Sequence, residues 1–258
     1  MAVITFMSDF GTQDHYVAAV RAAILSRSPS QPIADITHNI RPYDISHAAN
    51  VIKHVYKEFP NESVHLVAVD SMNEKCNLIA IELDGHYFVG FDSGIFSLIS
   101  NKQPDMVVEL EHSNCTFPAK NVLAKVALDL AEGKKLAALG KTQEEMKVLF
   151  ARQLKVTKRE IAGNVVTVDH YGNLITNINK PEFDKIVEIN GAGVQYAIRF
   201  GREQFQHMHS FFSDVESGDC FVLFNSSGQL QIGINKGNAS ELLGLSTDSP
   251  VLIEFTTG

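Results

Sequence analysis

The chain has 258 residues, of which 45% are hydrophobic and 20% are charged, and it carries a formal net charge of −8. This length and composition are typical of a globular protein with either one large domain or two small ones. The negative charge argues against a nucleic-acid partner, because little would offset the repulsion of phosphates.

The N-terminal segment, residues 1–7, has neither a basic region nor a long apolar core, so it lacks the pattern of a secretory signal. No stretch of the sequence approaches the length of a membrane span. The cysteines are odd in number and widely spaced, which is typical of reduced thiols rather than of a disulfide framework or a zinc site: Cys76, Cys115 and Cys220. These features predict a cytoplasmic protein with no metal site and no membrane partner.

The first half of the chain alternates short apolar runs with segments of helical spacing. The pattern predicts strands over Val3–Phe6, Pro32–His38, Val64–Val69, Leu78–Leu83, Tyr87–Val89 and Met106–Leu110. It predicts helices over Tyr16–Leu25, Asp44–Phe59 and Val122–Leu130, and a short helix or loop over Ile95–Ile99. The Asp84-Gly85 pair predicts a hairpin turn. Such alternation is typical of an α/β domain with a Rossmann-like layered sheet, in which ligands bind at the carboxyl ends of strands.

Two of these predicted strands end in an aspartate. Asp9 follows the first strand and could accept hydrogen bonds from both hydroxyls of a ribose, and Asp70 ends a later one. The loop after the first strand has a single glycine and no lysine, so it is not a phosphate-binding loop. Asp14 is predicted to cap the helix that follows.

After about residue 150, short apolar strands separated by turns dominate. They are predicted over Ile161–Val168, Leu174–Ile178, Ile186–Ile189, Gln195–Phe200, Phe221–Phe224, Leu230–Ile234 and Val251–Phe255. This spacing is typical of an antiparallel barrel or sandwich. We therefore predict an α/β domain over residues 1–150 and a smaller all-β, barrel-like domain over residues 160–258. The charged stretch Lys141–Arg159 is the predicted connection.

The turn from Asp169 to Asn173 combines a carboxylate, an aromatic ring and a carboxamide within five residues. This combination suits a ligand with an amine and a hydrogen-bonding heterocycle, since Asp accepts from cations and Asn both donates and accepts. The alternative is a hairpin loop whose Asp and Asn only satisfy their own backbone.

Together, the motifs resemble those of the S-adenosyl-L-methionine hydroxide adenosyltransferases, relatives of the fluorinase and chlorinase enzymes. In the first half the matching segments are Ser8-Asp9-Phe10-Gly11, Ile36-Thr37-His38, Val64 through Asp70 and Tyr87 through Gly94. In the second half they are Asp169 through Asn177, Asn225 through Gly228 and Asn235 through Ala239. The similarity covers nearly the whole chain.

The resemblance implies roles for individual residues. Asp9 would hold the ribose hydroxyls, Asp169 would pair with the ammonium of the methionine portion, and Asn173 would bind the adenine edge. The remaining binding positions are the turn residue Tyr171, the carboxylate-binding Ser226 with Ser227, and the base-bordering Asn235, Asn238 and Ala239. Phe212 or its neighbour Phe211 could stack on adenine, and the alternative for either ring is a place in the core. The resemblance also implies a homotrimer with sites between subunits. No cofactor is implied, because S-adenosylmethionine is itself the substrate or ligand.

The chain departs from the family at the positions credited with activating water, an Asp-Arg-His set. The aspartate is present as Asp70, but the segment Ser71–Asn77 has no arginine, and its only cation, Lys75, cannot reproduce a bidentate guanidinium. Proline stands at position 118, where the family has histidine, and Ala119 offers no side-chain donor to a halide. Other histidines lie near predicted loops, among them His15, His38, His86, His112 and His170, for which surface or structural roles are expected; His170 adjoins the ligand turn.

These observations predict hydrolysis of S-adenosylmethionine to adenosine and methionine by water attack at C5′, with weakened catalysis and Asp70 as the remaining base. One alternative is a non-catalytic binder or sensor of S-adenosylmethionine or adenosine. Another is cleavage of a different adenosyl compound, accommodated by the altered segment Ser71–Asn77.

Overall fold

The computed structural model describes residues 2–71, 77–111, 115–150, 152–191 and 193–256. The chain divides into two compact units, Met1–Ala151 and Arg152–Gly258. The first is built on a mixed sheet, and the second is an antiparallel, nearly closed barrel-like sheet. This confirms the two-part α/β architecture, whereas the Rossmann-like detail stays a prediction.

The first unit contains a seven-stranded sheet in the order β2-β1-β3-β5-β4-β6-β7. Its strands are β1 (Ile4–Ser8), β2 (Ile33–Thr37), β3 (Val64–Ala68), β4 (Leu78–Leu83), β5 (His86–Phe91), β6 (Met106–Leu110) and β7 (Gly140–Gln143). Strands β2, β1, β3 and β5 are parallel to one another, and β4, β6 and β7 pair antiparallel. The carboxyl ends of β1, β2 and β3 therefore lie at one edge of the sheet.

Helices cover both faces of this sheet. They are α1 (Tyr16–Leu25), α2 (Ile45–Lys53), α3 (Ile95–Ile99) and α4 (Ala124–Ala131), with 3₁₀ turns at Tyr56–Glu58 and Leu136–Ala138 and a π-helical turn at Ala119–Leu123. Helices α1 and α4 pack with Phe6 and Leu66 in one hydrophobic cluster, and α2 and α3 pack with Met7 and Val67 in another. Neighbouring residues of one strand point to opposite faces, so β1 and β3 each contribute to both clusters.

The start of α2 agrees with the sequence, but its end does not. The Asp44 side chain accepts a hydrogen bond from the His47 backbone N–H and caps the helix. The helix ends at Lys53, not at Phe59, and the remainder of the predicted segment contains the 3₁₀ turn. The prediction that Asp14 caps α1 is wrong, because the N-cap is His15, which makes no side-chain capping bond.

The predicted hairpin between β4 and β5 is confirmed. Asp84 and Gly85 both have positive φ, 52° and 76°, as a two-residue turn between antiparallel strands requires. Asp tolerates this left-handed conformation better than most residues, and Gly adopts it freely.

The second unit contains an eight-stranded sheet in the order β12-β11-β15-β9-β10-β14-β13, with β8 pairing with β9. Its strands are β8 (Lys155–Val156), β9 (Glu160–Val168), β10 (Leu174–Asn179), β11 (Gln195–Phe200), β12 (Glu203–Phe205), β13 (Cys220–Phe224), β14 (Gln229–Ile234) and β15 (Pro250–Thr256). The backbone N–H of His209, which follows β12, donates to the carbonyl of Val222 on β13 at 2.7 Å. This contact brings the two ends of the sheet together, and one hydrophobic cluster fills its interior.

The predicted strand Ile186–Ile189 is wrong, because these residues belong to helix α5 (Lys180–Asn190). Phe183 and Ile186 are the buried side chains of this helix, three residues apart on one face, and a proline lies in its first turn. A short apolar run does not separate strand from helix by periodicity alone. The unit also contains α6 (Ala239–Leu243) and a 3₁₀ turn at Phe212–Asp214.

In the described part of the chain, the longest helix is α5 with 11 residues, and no helix is both long and apolar enough to cross a membrane. Cys115 and Cys220 are free thiols. Cys76 lies outside the described residues.

Candidate functional site

At the carboxyl ends of β1 and β3, the structure brings Asp9 and Asp70 together. Oδ2 of Asp9 accepts hydrogen bonds from the backbone N–H of Asp70 at 3.1 Å and of Tyr43 at 3.0 Å. Oδ1 of Asp9 accepts no hydrogen bond from any described residue. One oxygen of Asp9 thus organises the backbone, and the other has no hydrogen-bond donor among the described residues.

The backbone at this point is strained. Asp70 and Tyr43 have φ values of 54° and 64°, in the left-handed region that side-chain-bearing residues rarely adopt. Such conformations cost about 1–3 kcal/mol each and persist only where the surroundings enforce them. The two hydrogen bonds to Asp9 supply part of that enforcement.

In the second unit, a cavity of about 730 Å³ opens beside the hairpin formed by β9 and β10. It is lined by Asp169, Tyr171, Asn173, Phe212, Phe221, Gln231, Ile234, Asn235, Lys236, Gly237 and Asn238. The volume is that of a small-molecule site, and apolar and aromatic walls with a few polar groups are typical of such sites. Six of the residues predicted from the sequence to bind ligand therefore surround one cavity.

The hairpin turn is held by its own aspartate. Oδ1 of Asp169 accepts from the backbone N–H groups of Tyr171 and Asn173, both at 2.9 Å, and Oδ2 accepts from Nδ2 of Asn173 at 2.9 Å. Asp169 therefore accepts hydrogen bonds from the backbone of its own turn, as the alternative of a purely structural hairpin loop predicts. The same turn also lines the cavity. A carboxylate has about four lone-pair positions, so one remains for a cationic ligand group.

Two glycines let the site asparagines pack closely. A Cβ on Gly172, whose φ is +83°, would overlap Oδ1 of Asn238, and a Cβ on Gly233 would overlap Oδ1 of Asn173 and the ring of Phe221. Asn238 is also fixed from the other side, because its Oδ1 accepts from the Glu241 backbone N–H and caps α6. The Asn238 carboxamide is thus held by backbone, and the Asn173 carboxamide is held by the side chain of Asp169.

Aromatic and amide groups complete the wall of the cavity. The Phe212 ring meets Phe221 edge-to-face, with centroids 5.2 Å apart. Nδ2 of Asn235 donates to the carbonyl of Val215 at 2.8 Å. Phe211 is 67% exposed and is not part of the lining, so the geometry favours Phe212 over Phe211 as the stacking ring.

Besides Asp9 in the first unit, three predicted binding residues do not line the cavity. Ser226 and Ser227 are exposed in the turn between β13 and β14, where the Ser227 backbone N–H donates to Oδ1 of Asn225 at 3.0 Å. Ala239 is buried as the first residue of α6. None of the three lines the cavity.

Sequence reasoning missed Phe221 and Gln231 as part of the wall. A signal existed for the glutamine, because Gln229 and Gln231 alternate with apolar residues in β14 and both are buried. Lys236 also lines the cavity and has a φ of 57°. Its strained backbone could not be foreseen from its residue type.

The departures from the family pattern that the sequence predicts fall in residues of the first unit, and they stay predictions. Pro118 is the N-cap of the π-helical turn, and its side chain carries no proton-transferring group. Lys75 and His112 lie outside the described residues. His170 is exposed and contacts Tyr171, but it does not line the cavity. Among the described residues, no three His, Cys, Asp or Glu side chains converge as metal ligands would.

Comparison with known proteins adds a second line of observation. Residues 4–140 match the model of the SAM hydroxide adenosyltransferase N-terminal domain, and residues 163–252 match that of the C-terminal domain. A relative from Thermus thermophilus, named (R)-S-adenosyl-L-methionine hydrolase, is 28% identical over 97% of this chain and 99% of its own. A fluorinase from Actinoplanes sp. is 23% identical, over 90% and 91% of the two chains. The crystal structure of an uncharacterized conserved protein from Thermotoga maritima has a TM-score of 0.87 at 29% identity, over 97% of this chain and 99% of that one.

Proposed function

Because the chain belongs to the SAM hydroxide adenosyltransferase family, we propose that it binds S-adenosyl-L-methionine and hydrolyses it slowly to adenosine and methionine. The relative named (R)-S-adenosyl-L-methionine hydrolase supports this substrate. No cofactor is part of the proposal, since the sulfonium group of the substrate is itself the activated leaving group.

The cavity beside Asp169 carries the proposal. Asp169 would accept a hydrogen bond from the ammonium group, the carboxamide of Asn173 would pair with the adenine edge, and the Phe212 ring would stack on the base. Asn235 and Asn238 would border the base from the turn after β14. The roles proposed for Ser226, Ser227 and Ala239 rest on the family resemblance alone.

Asp9 and Asp70 supply the chemistry of the reacting end. Oδ1 of Asp9, which accepts from none of the described residues, would accept from a ribose hydroxyl, and Asp70 would orient a water molecule opposite the sulfur. The water oxygen bonds to C5′ as the C5′–S bond breaks, methionine leaves as a neutral thioether, and the water proton passes to Asp70 or to solvent. A missing acid/base group typically costs about 10²- to 10⁴-fold in rate, whereas alignment of the reactants is retained.

The test is to incubate purified protein with (R)- and (S)-S-adenosyl-L-methionine separately and to measure adenosine by liquid chromatography. We expect adenosine above the level of an Asp70→Asn variant, which keeps the volume of the side chain but loses its basicity. Equal adenosine from the wild type and this variant would contradict Asp70-dependent hydrolysis.

The second candidate function is a non-catalytic binder of S-adenosylmethionine or adenosine, and Pro118 favours it. No proton can move through this side chain at the position where the family has histidine. Calorimetry separates the candidates: saturable binding without adenosine release would favour the binder, and absence of binding to either compound would eliminate it.

A third candidate is cleavage of a different adenosyl compound, motivated by the altered sequence Ser71–Asn77. Incubation with a panel of 5′-substituted adenosines would test it, and an absence of any cleaved product would count against it.

The resemblance also leads us to propose a homotrimer with sites completed between neighbouring subunits, in the cytoplasm. Size-exclusion chromatography with light scattering should give a mass near three times 28.4 kDa. A monomer mass at micromolar concentration would contradict the trimer.

A further inference from the structure

We propose that His38 is a positioning residue of the Asp9–Asp70 site: it holds the loop that carries Asp9, and Asp9 in turn holds the backbone of Asp70 and Tyr43. This inference rests on the proposed function, in which the same site binds the ribose and orients the water. His38 would act through Ser8 and Asp9 and would not itself touch the substrate.

His38 contacts the loop after β1 at two points. Its Nδ1 lies 2.8 Å from Oγ of Ser8, and its backbone carbonyl accepts from the N–H of Gly11 at 2.8 Å. Ser8 is fully buried and His38 is 6% exposed. Because these two contacts bracket Asp9 on both sides, the position of His38 determines where the Asp9 carboxylate lies.

The imidazole itself is oriented from its other edge. Nε2 lies 3.4 Å from Oδ1 of Asp35, and the ring meets Phe6 edge-to-face at 4.6 Å between centroids. Asp35 also pairs with Arg21 at 2.5 Å. The approach of Nε2 to Asp35 is an electrostatic contact rather than a hydrogen bond, because Nε2 has no hydrogen-bond partner among the described residues. A proton on Nε2 avoids a lone pair facing the carboxylate, so Nδ1 is the nitrogen that accepts from the Ser8 hydroxyl.

The charge state of His38 agrees with this arrangement. Burial lowers the pKa of the imidazole, an effect that Arg21 reinforces and Asp35 opposes. The neutral ring therefore predominates at neutral pH and keeps one acceptor nitrogen for Ser8. The oxygen of Ser8 still accepts from the Phe10 backbone N–H at 3.4 Å.

Three side chains in contact here have the residue types of a hydrolase triad: Ser8, His38 and Asp35. Their geometry excludes that role. Ser8 has no exposed surface, so its oxygen cannot reach a substrate carbonyl or sulfonium. Because Ser8 and His38 are both buried, their hydrogen bond fixes the backbone around them. Here that backbone leads directly into Asp9.

The contacts continue from Asp9 to the reactive side chain. One oxygen of Asp9 accepts from the backbone N–H groups of Asp70 and Tyr43, both in left-handed conformations. If the loop shifts, both hydrogen bonds weaken, and the strained residues can relax toward ordinary backbone angles. Loss of the His38–Ser8 bond is therefore expected to disturb Asp9 and Asp70 together.

The first unit offers a matched control. His65 on β3 is buried like His38, and its Nδ1 lies 2.7 Å from a hydroxyl on β1, that of Thr5. Thr5 lies three residues before Ser8 on the same strand, about 10 Å away along its length. The two histidines thus share burial and partner type, and only His38 is attached to the Asp9 loop.

The first measurement requires no ligand: the hydrogen-exchange rates of the Tyr43 and Asp70 backbone amides, followed by NMR. We expect His38→Ala to accelerate exchange at both amides by about tenfold or more, the equivalent of one lost hydrogen bond. His65→Ala should leave their rates within about twofold of the wild type. His38→Asn should restore slow exchange, because its carboxamide can occupy the position of Nδ1.

The second measurement is the ratio of the Kd values for 2′,3′-dideoxyadenosine and adenosine, obtained by calorimetry. His38→Ala is expected to reduce the preference for adenosine about tenfold, His65→Ala to preserve it, and His38→Asn to recover it. If His38→Ala does not fold, Ser8→Ala removes the same bond by deleting one hydroxyl, and the same outcomes apply.

Unchanged exchange at Tyr43 and Asp70 in the folded His38→Ala or Ser8→Ala variant would overturn the inference. Accelerated exchange in a protein that binds neither S-adenosylmethionine nor adenosine would support the positioning role and contradict the proposed function. An equal loss of adenosine preference in the His38 and His65 variants would indicate a general structural effect and would also overturn the inference.

Discussion

The two candidate sites of this protein are built in different ways. In the second unit, the turn that lines the cavity is held by hydrogen bonds between Asp169 and Asn173, four residues apart. In the first unit, Asp9 and Asp70 are 61 residues apart, and their contact depends on neighbouring parallel strands and on left-handed backbone. One site is organised locally, and the other is organised by the sheet.

The difference indicates which of the two sites is more sensitive to mutation. A locally held turn keeps its geometry as long as its own few residues are retained, whereas the site at the sheet edge depends on every element that positions it. The sequence predicts that the family residues of the local turn are retained and that the departure from the family falls at Pro118, in the first unit. We therefore expect mutations to impair the binding of adenosine less than they impair the hydrolysis that releases adenosine from a substrate.

The largest effect is expected from acid, and it should fall on the first unit. Burial lowers the pKa of His65 from 6.5 to about 3, with a further contribution from His86. The unfolded chain takes up a proton at His65 below about pH 6.5 that the folded chain cannot accept. The contribution of neutral His65 to the free energy of unfolding is thus fully present above about pH 6.5 and declines as the pH falls toward 3. The decline is about 1.4 kcal/mol per pH unit, which gives a total on the order of 4–5 kcal/mol.

Hydrogen exchange between about pH 7 and pH 4, a range that brackets most of this decline, would measure the effect in each unit separately. Protection in β3 and β5 should decline before protection in β9 and β10, and His65→Asn, which cannot take up a proton there, should flatten the pH dependence. Earlier loss of protection in the second unit would contradict the expectation that acid destabilises the first unit first.

The next largest effect is expected for Gly172→Ala. The new Cβ would overlap the carboxamide of Asn238, and the positive φ of +83° adds strain, so we expect affinity for both adenosine and adenine to fall about 100-fold. The control is Gly191→Ala, which has a similar φ of +92° and open space around the added Cβ. Calorimetry with adenosine and with adenine would measure the loss of affinity in each variant. Equal losses in the two variants would show that backbone strain, not the position of Asn238, matters.

A smaller and more selective effect is expected for Asp9→Ala. Loss of a charged acceptor for the ribose hydroxyls should weaken adenosine binding about 10- to 100-fold, while affinity for adenine alone should stay within about twofold. Competition binding with the two ligands would measure the contrast. A parallel loss of adenine affinity would mean that the first-unit site contributes to recognition of the base.

The smallest effect is expected for Phe212→Ala. Removal of a ring that stacks on a base costs about 1–1.5 kcal/mol, which corresponds to roughly tenfold in Kd for adenosine. Phe211→Ala is the matched control, because this neighbouring ring does not line the cavity and should change the affinity less than about twofold. A larger loss for Phe211 than for Phe212 would reverse the assignment of the stacking ring.

Local features of the fold could be predicted from the sequence. The Asp84-Gly85 hairpin and the turn from Asp169 to Asn173 lie where their residue types predict them. The short apolar run Ile186–Ile189 has the composition of a strand but forms a helix, since α5 is defined by packing of Phe183 and Ile186 against the second-unit core. Asp14 does not cap α1, because the N-cap of that helix is His15, one residue further along the chain.

By itself, the sequence determined the residue types at the strand ends, the two-part organisation and the family, because these depend on periodicity and on motifs that a single chain displays. Only the tertiary structure decided that Asp9 holds the backbone of Asp70, that His38 holds Ser8, and that Phe221 and Gln231 join the cavity wall. The reason is physical: these contacts join residues distant in the chain, and their geometry depends on strand register and packing, which no local pattern encodes.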